Sequence, residues 1–117
     1  MSEWTLFAPT NLALESSNLD ILLSEAGDDQ YALKKMLLYH FVFGKKMYKT
    51  DLSCNGAITM SSNDDSVTLC DEDNVPLYQQ GLGNTIENSP TILESDIETC
   101  NGGVIHLVDN LLLLPVA

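Results

Sequence analysis

Hydrophobic and polar positions follow one pattern in the first third of the chain and another in the remainder. Near the start, Trp4 to Ala8 alternates and is rich in aromatic residues, which predicts a short strand. Pro9 and Thr10 end that strand and offer a hydroxyl for a helix start, so Asn11 to Leu14 is predicted as one helical turn. Apolar residues spaced by three and four predict two more helices, one from Asn18 to Gly27 (Leu19, Leu22, Leu23 and Ala26) and one from Asp28 or Asp29 (Ala32, Leu33, Met36, Leu37, and Tyr39 or His40).

After His40 the periodicity changes to that of strands. Phe41 to Phe43 reads as a strand ended by Gly44, and short alternating runs follow at Ala57 to Met60, Ser66 to Leu69 and Pro90 to Leu93. Clusters of turn-forming residues separate these runs. Helices at the beginning and strands afterwards predict an α+β fold rather than alternating βαβ units.

The closing segment, Ile97 to Pro115, places a glycine turn before an apolar run. The run has no helical stripe and is rich in Val, Ile and Leu, which predicts a strand deep in a sheet that continues to Pro115. His106 and Asp109 lie three apart on this strand and so point to opposite faces. They cannot easily act on one substrate atom, and we predict that the chain has no catalytic residues.

Composition and charge limit the function classes. The 117 residues predict a single domain, 1–117, and 44% hydrophobic residues exclude a disordered chain. Five lysines and arginines stand against seventeen acids, a formal net charge of -12. This charge disfavours nucleic acid and anionic membrane surfaces. The pattern contains neither a signal peptide nor an apolar run long enough for direct membrane insertion.

Cysteines and acidic clusters offer little metal chemistry. Cys54, Cys70 and Cys100 lack the spacing of a zinc site, and either one disulfide with a free thiol or three thiols fits, with the pairing open. Asp71 to Asn74 lacks the glycine and terminal Glu of an EF-hand loop. We therefore predict no metal site and no cofactor. An acidic scaffold that gathers cations remains an alternative function, as does, less favoured, a small-ligand or enzymatic domain with a pocket near Tyr39 and His106.

Three stretches resemble the fasciclin family of adhesion domains. Trp4 to Ala13 is similar to the first signature box, with Leu14 in place of a Phe; Leu37 to Val42 resembles the central Leu-Leu-Tyr-His element; and Asp96 to Pro115 resembles the second box. Gly103 is one residue more than the family pattern has, which predicts a longer or bulged turn. Family members carry helical sequence before the first box, so we expect a chain trimmed at its N-terminus or a minimal version with an uncovered apolar patch.

The resemblance implies short helices packed on a mostly antiparallel β-sandwich or wedge. It implies a non-catalytic adhesion or matrix-contact function at the cell surface or outside the cell. The expected partners are a cell-surface receptor, a matrix protein or polysaccharide, and neighbouring fasciclin-like domains. From the boxes we predict structural roles for one set of residues: Phe7, Pro9, Thr10, Asn11, Asn101, Gly102, His106 and Asp109.

Two places are candidates for partner binding by this resemblance. Tyr39 and His40 match an element linked to integrin recognition in the family, although their apolar neighbours favour a packed helix end over direct partner contact. Glu94, Asp96 and Ile97 match part of a stretch associated with integrin binding, in which Asp96 would ligate a receptor-bound cation. For Asp96 the favoured interpretation is instead a cap on the turn that follows it.

Overall fold

The computed structural model describes residues 3–16 and 30–114, and these form two β-sheets with a small helical part. The predicted helix from Asn18 to Gly27 lies outside the described residues. The helical segments are α1, α2 and a 3-10 turn, and the strands are β1 to β7: α1 Asn11–Ser16, α2 Gln30–Leu38, the turn Lys49–Asp51, β1 Trp4–Pro9, β2 Phe41–Phe43, β3 Ala57–Thr59, β4 Asp65–Cys70, β5 Pro76–Gly81, β6 Ile92–Glu98 and β7 Gly103–Val108. The predicted α+β class is confirmed.

The large sheet has the strand order β2-β1-β7-β6. β7 lies inside it, parallel to β1 and antiparallel to β6, as expected for an apolar run buried on both faces. The strand ends at Val108 and does not continue to Pro115, so it is shorter than predicted. Asp109 ends it: its carboxylate accepts a hydrogen bond from the Thr91 N–H at 2.7 Å, and the buried Leu111 and Leu112 follow as irregular backbone.

The small sheet has the order β3-β4-β5, with both pairs antiparallel. β5 was not predicted from the sequence, because its polar residues hide the alternation that marks a strand. Gln79 of β5 is fully buried and joins two buried residues of β4. Its amide donates to Ser66 Oγ at 2.8 Å and accepts from Thr68 Oγ1 at 2.7 Å, so the sheet carries a hydrogen-bonded polar strip on its inner side.

The hydrophobic core lies between the sheets and the end of α2. It unites one face of the large sheet with residues from the bend after α2, from the loops before and after β3, and from the closing segment: Phe7, Tyr39, Val42, Leu52, Met60, Val108 and Leu112. One residue expected inside is not, since Leu37 is 54% exposed. α2 ends at Leu38, so the bend into Tyr39 and His40 turns those two side chains inward instead.

The opposite face of the large sheet is also apolar. Trp4 packs edge-on against Phe41 with ring centroids 6.1 Å apart, and Phe43 is 57% exposed. Gly103 begins β7 directly beneath the Trp4 ring, where any side chain would collide with the indole. The turn itself falls on Gly102, whose φ of +92° suits glycine, so Gly103 is required by the packing of Trp4.

A disulfide joins Cys54 and Cys70, and Cys100 is a free, exposed cysteine. Of the pairings left open by the sequence, the structure thus selects one disulfide with a free thiol. The bond links the loop before β3 to the end of β4 and closes a loop with a sequence separation of 16. Closing a loop of this length restricts the unfolded chain.

We predict that replacing Cys54 and Cys70 together by Ser lowers the free energy of unfolding by about 3 kcal/mol, because the loop constraint on the unfolded chain is lost. Chemical denaturation, followed by circular dichroism, measures the change. Cys100→Ser is the matched control and should leave stability unchanged. Equal stability of the double variant and the control would contradict the assignment of the disulfide.

Candidate functional site

Tyr39, one of the candidate partner-binding residues, is fully buried at the end of α2. Its hydroxyl donates to the Asp65 carbonyl at 2.6 Å and accepts from the Leu82 N–H at 2.9 Å. The ring thus joins the helix end to the start of β4 and to the loop after β5. Burial raises the pKa of the Tyr39 hydroxyl, with a smaller opposing effect from the Leu82 N–H.

His40 is 5% exposed, and both of its ring nitrogens have backbone partners. Nδ1 lies 2.9 Å from the Met36 carbonyl, and Nε2 accepts a hydrogen bond from the Leu112 N–H at 3.1 Å. The proton therefore sits on Nδ1, and the ring is neutral. The structure corrects the expectation that Tyr39 and His40 contact a partner directly, because neither side chain reaches the surface.

β6 carries the second group of candidates along the outer edge of the large sheet. Glu94 and Asp96 are exposed, and Ile97 is half-buried opposite Ile105. The pairing of β6 with β7 is irregular on both sides of Glu94, and Asp96 has φ +60°, in the left-handed region. Leu93, 57% exposed, adds an apolar side chain to this acidic edge.

Asp96 is held in its bulge from two sides. Its carboxylate Oδ1 accepts a hydrogen bond from the Lys49 N–H at 2.7 Å, and its own N–H donates to His106 Nδ1 at 3.3 Å. Asp96 does therefore cap a turn, but the turn is Lys49–Asp51, far earlier in the chain, rather than the one that follows it. The side chain is exposed while one carboxylate oxygen is engaged.

His106 lies fully buried beneath this bulge. Nε2 donates to the Met47 carbonyl at 2.8 Å, since Nδ1 accepts from Asp96, and the ring stacks on Phe7 with centroids 5.3 Å apart. Burial lowers the pKa of His106, while the Met47 carbonyl and the Asp96 charge oppose that effect. A neutral imidazole thus connects β6 to the segment that precedes the 3-10 turn.

That segment, residues 44–49, is a part of the site that the sequence analysis missed. Thr5 fixes it, because its hydroxyl donates to the Lys45 carbonyl and accepts from the Met47 N–H, each at 2.8 Å. Tyr48 then reaches β6, where its hydroxyl donates a hydrogen bond to Glu98. This bond lowers the pKa of Glu98. The positive charge of Lys46, whose Nζ lies 3.8 Å from Glu98 Oε1, lowers it further.

The remaining residues of the first box lie at the junction of β1 and α1. Phe7 is fully buried, and its N–H donates to the His40 carbonyl at 2.8 Å. Pro9 closes β1 opposite Val108, and Thr10 Oγ1 accepts from the Ala13 N–H at 3.1 Å, which caps α1 as predicted. Asn11 is exposed in the first turn of that helix.

The turn between β6 and β7 contains the rest of the predicted structural residues. Asn101 Oδ1 accepts from the Thr99 hydroxyl at 2.8 Å, and the Gly102 carbonyl accepts from the Trp4 N–H at 3.2 Å. Asp109, past the other end of β7, is exposed and bonds Thr91. His106 and Asp109 therefore serve different neighbours, and no shared reaction centre is formed by them.

Asn84 organises a loop for which no role was predicted from the sequence. Its Oδ1 accepts from the N–H groups of Gly81 and Leu113, and its Nδ2 donates to the Leu111 carbonyl and to Asn88. The only signal in the sequence is an Asn that follows two glycines, which indicates a turn and nothing more specific.

Two clefts in the described part of the chain are lined by neither Tyr39 nor His106. One, of about 220 Å³, is lined by Lys34, Lys35, Leu38, Ser61, Ser62 and Asn63, and the other, of about 340 Å³, by Lys49, Thr50, Leu52, Asn74, Val75 and Pro76. Within residues 3–16 and 30–114, His, Cys, Asp and Glu side chains form no group of three that could hold a metal ion. In the same part of the chain, no helix has the length and apolar character needed to cross a membrane.

The geometry defines an α+β domain in which buried tyrosine and histidine side chains tie distant backbone segments together beneath an exposed edge strand. The sequence matches the Fasciclin domain family over residues 1–115. The chain therefore belongs to the fasciclin family, whose members are adhesion-type domains, and the resemblance drawn from the three motifs is confirmed.

A solved structure with a similar fold is that of a FAS1 domain pair from the insect cell adhesion molecule fasciclin I. The TM-score is 0.67 at 20% sequence identity, and the match covers 94% of this chain and 36% of that one. The chain thus spans about a third of the length of that longer protein. At this identity the likeness establishes the fold alone.

We predict that stability falls as the pH is lowered below about 6.5, the usual pKa of an unfolded histidine. Burial lowers the pKa of both His40 and His106, so the folded protein keeps them neutral while the unfolded chain takes up protons. Above pH 6.5 the two neutral histidines make their full contribution to the free energy of unfolding. As the pH falls from 6.5 toward their folded pKa values, the free energy of unfolding declines by at most about 1.4 kcal/mol per pH unit for each histidine.

Urea unfolding from pH 8 to pH 5 measures this slope, and NMR titration of the ring protons gives the folded pKa values. His40→Gln should remove one of the two contributions to the slope. A folded histidine that titrates at or above pH 6.5 would contradict the buried, neutral assignment.

Proposed function

We propose that this chain is a non-catalytic adhesion domain that binds a receptor, matrix protein or polysaccharide through the exposed edge of β6. The observation that carries the proposal is the set of side chains on this edge. Leu93, Glu94 and Asp96 are exposed on a strand whose irregular backbone is fixed from beneath by His106. Membership of the fasciclin family supports the adhesive class.

The shape of the edge supports recognition of a specific partner. Edge strands expose unpaired backbone groups and associate without selectivity unless charges or bulges interrupt them. β6 has both, since acids occupy three of its four exposed positions and Asp96 breaks its regular pairing. We therefore expect a bound partner to contact the side chains of β6 and not to add a strand to the sheet. Leu93 would provide an apolar contact, and Glu94 and Asp96 would provide carboxylates.

The second oxygen of Asp96 is the group available to a partner. Oδ1 accepts from Lys49, which fixes the orientation of the carboxylate without removing it from the surface. A carboxylate oriented in advance loses less conformational entropy on binding than a mobile one. This suits contact with a cation or a donor group presented by a receptor.

An extracellular or cell-surface location fits the disulfide between Cys54 and Cys70, because such bonds persist in oxidising compartments. The same setting would bring the domain into contact with receptors, matrix components and neighbouring fasciclin-like domains. Its acidic surface, with a formal net charge of -12, disfavours nucleic acid as a partner.

We predict that Asp96→Asn and Glu94→Gln each weaken retention of cells or matrix components on a surface coated with the domain. Loss of a contacted carboxylate costs about 1 to 2 kcal/mol, or about five- to thirtyfold in affinity. Asn is the appropriate change at position 96 because it tolerates the left-handed backbone and keeps an amide oxygen for Lys49.

Glu72→Gln is the matched control, since it removes one exposed charge from the turn between β4 and β5. The control and both edge variants should keep the melting temperature of the parent domain. Unchanged retention by both edge variants, or an equal loss with Glu72→Gln, would refute the assignment of β6 as the binding edge.

A further inference from the structure

The cleft of about 220 Å³ lies between α2 and the turn that joins β3 to β4. α2 contributes Lys34, Lys35 and Leu38, and the turn contributes Ser61, Ser62 and Asn63. Both charged residues of this lining are lysines, in a chain with seventeen acids and only five lysines and arginines. The lining thus offers hydrogen-bond donors and positive charge against an overall negative surface.

The two lysines differ in their pairing. Lys35 Nζ lies 3.4 Å from Asp64 Oδ2, an ion pair without an aligned hydrogen bond, because that buried oxygen has no hydrogen-bond partner among the described residues. Lys34 is exposed and forms no ion pair with any residue in the described part of the chain. One ammonium group is therefore held in place by a neighbouring carboxylate, while the other is available to a ligand.

Ser62 supplies the observation that points to a ligand. Its Oγ is buried yet has no hydrogen-bond partner among the described residues. A buried hydroxyl without a partner costs about 1 to 3 kcal/mol, so such a group calls for an explanation. An oxygen-bearing ligand in the cleft would accept the hydroxyl proton and supply the missing hydrogen bond.

The turn that presents Ser62 is rigidly braced. The Ser61 N–H donates to the Phe41 carbonyl at 2.8 Å, and Ser61 Oγ accepts from the Phe43 N–H at 2.9 Å. Asn63 adopts φ +72°, and its N–H bonds the Met60 carbonyl. A ligand would therefore meet donors already in place, which lowers the entropic cost of binding.

We propose that this cleft binds a compact oxyanion, a sulfate, phosphate or carboxylate group, between Lys34 and Ser62. The ammonium group provides the charge, the hydroxyl provides a directed donor, and Leu38 contributes the apolar lining. The net charge of -12 opposes long polyanions, so the ligand carries its charge on one small group. The proposal does not depend on the adhesive function of β6.

The test is an NMR titration of the isotope-labelled domain with sodium sulfate, with sodium chloride adjusted to hold the ionic strength constant. The backbone amides of Ser61, Ser62 and Asn63 should shift along a saturable curve. Lys34→Gln should weaken sulfate binding about tenfold, the effect of losing a hydrogen bond to a charged group worth about 1.4 kcal/mol. Lys45→Gln, which removes an equally exposed charge elsewhere, should leave the curve unchanged.

Ser62→Ala distinguishes two roles of the Ser62 hydroxyl, one in which it binds a ligand and one in which it only lacks a hydrogen-bond partner. Removal of the unpaired hydroxyl should keep or raise the melting temperature, while the same variant should weaken sulfate binding about threefold. Parallel titrations with phosphate and with glucuronate identify the kind of molecule that carries the oxyanion. A preference for glucuronate indicates a sugar acid, and a preference for the tetrahedral ions sulfate and phosphate indicates a sulfate or phosphate ester. Shifts that chloride reproduces, or equal effects of Lys34→Gln and Lys45→Gln, would overturn the proposal.

Discussion

His106 forms the contact on which the exposed edge of this domain depends. Its imidazole accepts from the Asp96 N–H and donates to the Met47 carbonyl, so one buried ring fixes the bulge of β6 and the segment before the 3-10 turn. The ring can do this only when neutral, because a protonated Nδ1 would face the Asp96 N–H as a second donor. Loss of either bond would leave a backbone group unpaired, which costs about 1 to 3 kcal/mol when it is buried.

His40 repeats this chemistry at the other end of the core with the opposite tautomer. It donates from Nδ1 to Met36 and accepts at Nε2 from Leu112, whereas His106 accepts at Nδ1 and donates from Nε2. The His106–Met47 and His40–Leu112 bonds join residues 59 and 72 positions apart. Together with Tyr39, the two rings form hydrogen bonds to the backbone of irregular segments, and these bonds hold the segments against the sheets where regular secondary structure is absent.

Local pattern was sufficient to predict much of the fold. The aromatic alternation at Trp4, the hydroxyl of Thr10 and the turn glycine Gly102 each act through neighbours in sequence, and each was predicted on that basis. β5 was missed because Gln79 is buried for its hydrogen bonds to Ser66 and Thr68, which are contacts between strands. The end of β7 was misplaced for a similar reason, since Asp109 is fixed by Thr91 across the sheet.

The candidate site was predicted only in part. Glu94, Asp96 and Ile97 were found by resemblance, yet nothing local reveals that Asp96 caps the turn at Lys49 or that Thr5 and Tyr48 brace the segment beneath it. For Tyr39 and His40, the apolar neighbours at the end of an amphipathic helix favoured packing over partner contact. The extent of their burial is seen only once the sheets are assembled.

The ring nitrogens of the two histidines test this account most directly. A long-range nitrogen–proton NMR correlation spectrum at neutral pH distinguishes the tautomers of each imidazole. The account predicts neutral His106 with its proton on Nε2 and neutral His40 with its proton on Nδ1. A charged His106, or one protonated on Nδ1, would contradict the claim that this ring accepts the hydrogen bond that holds Asp96 in place.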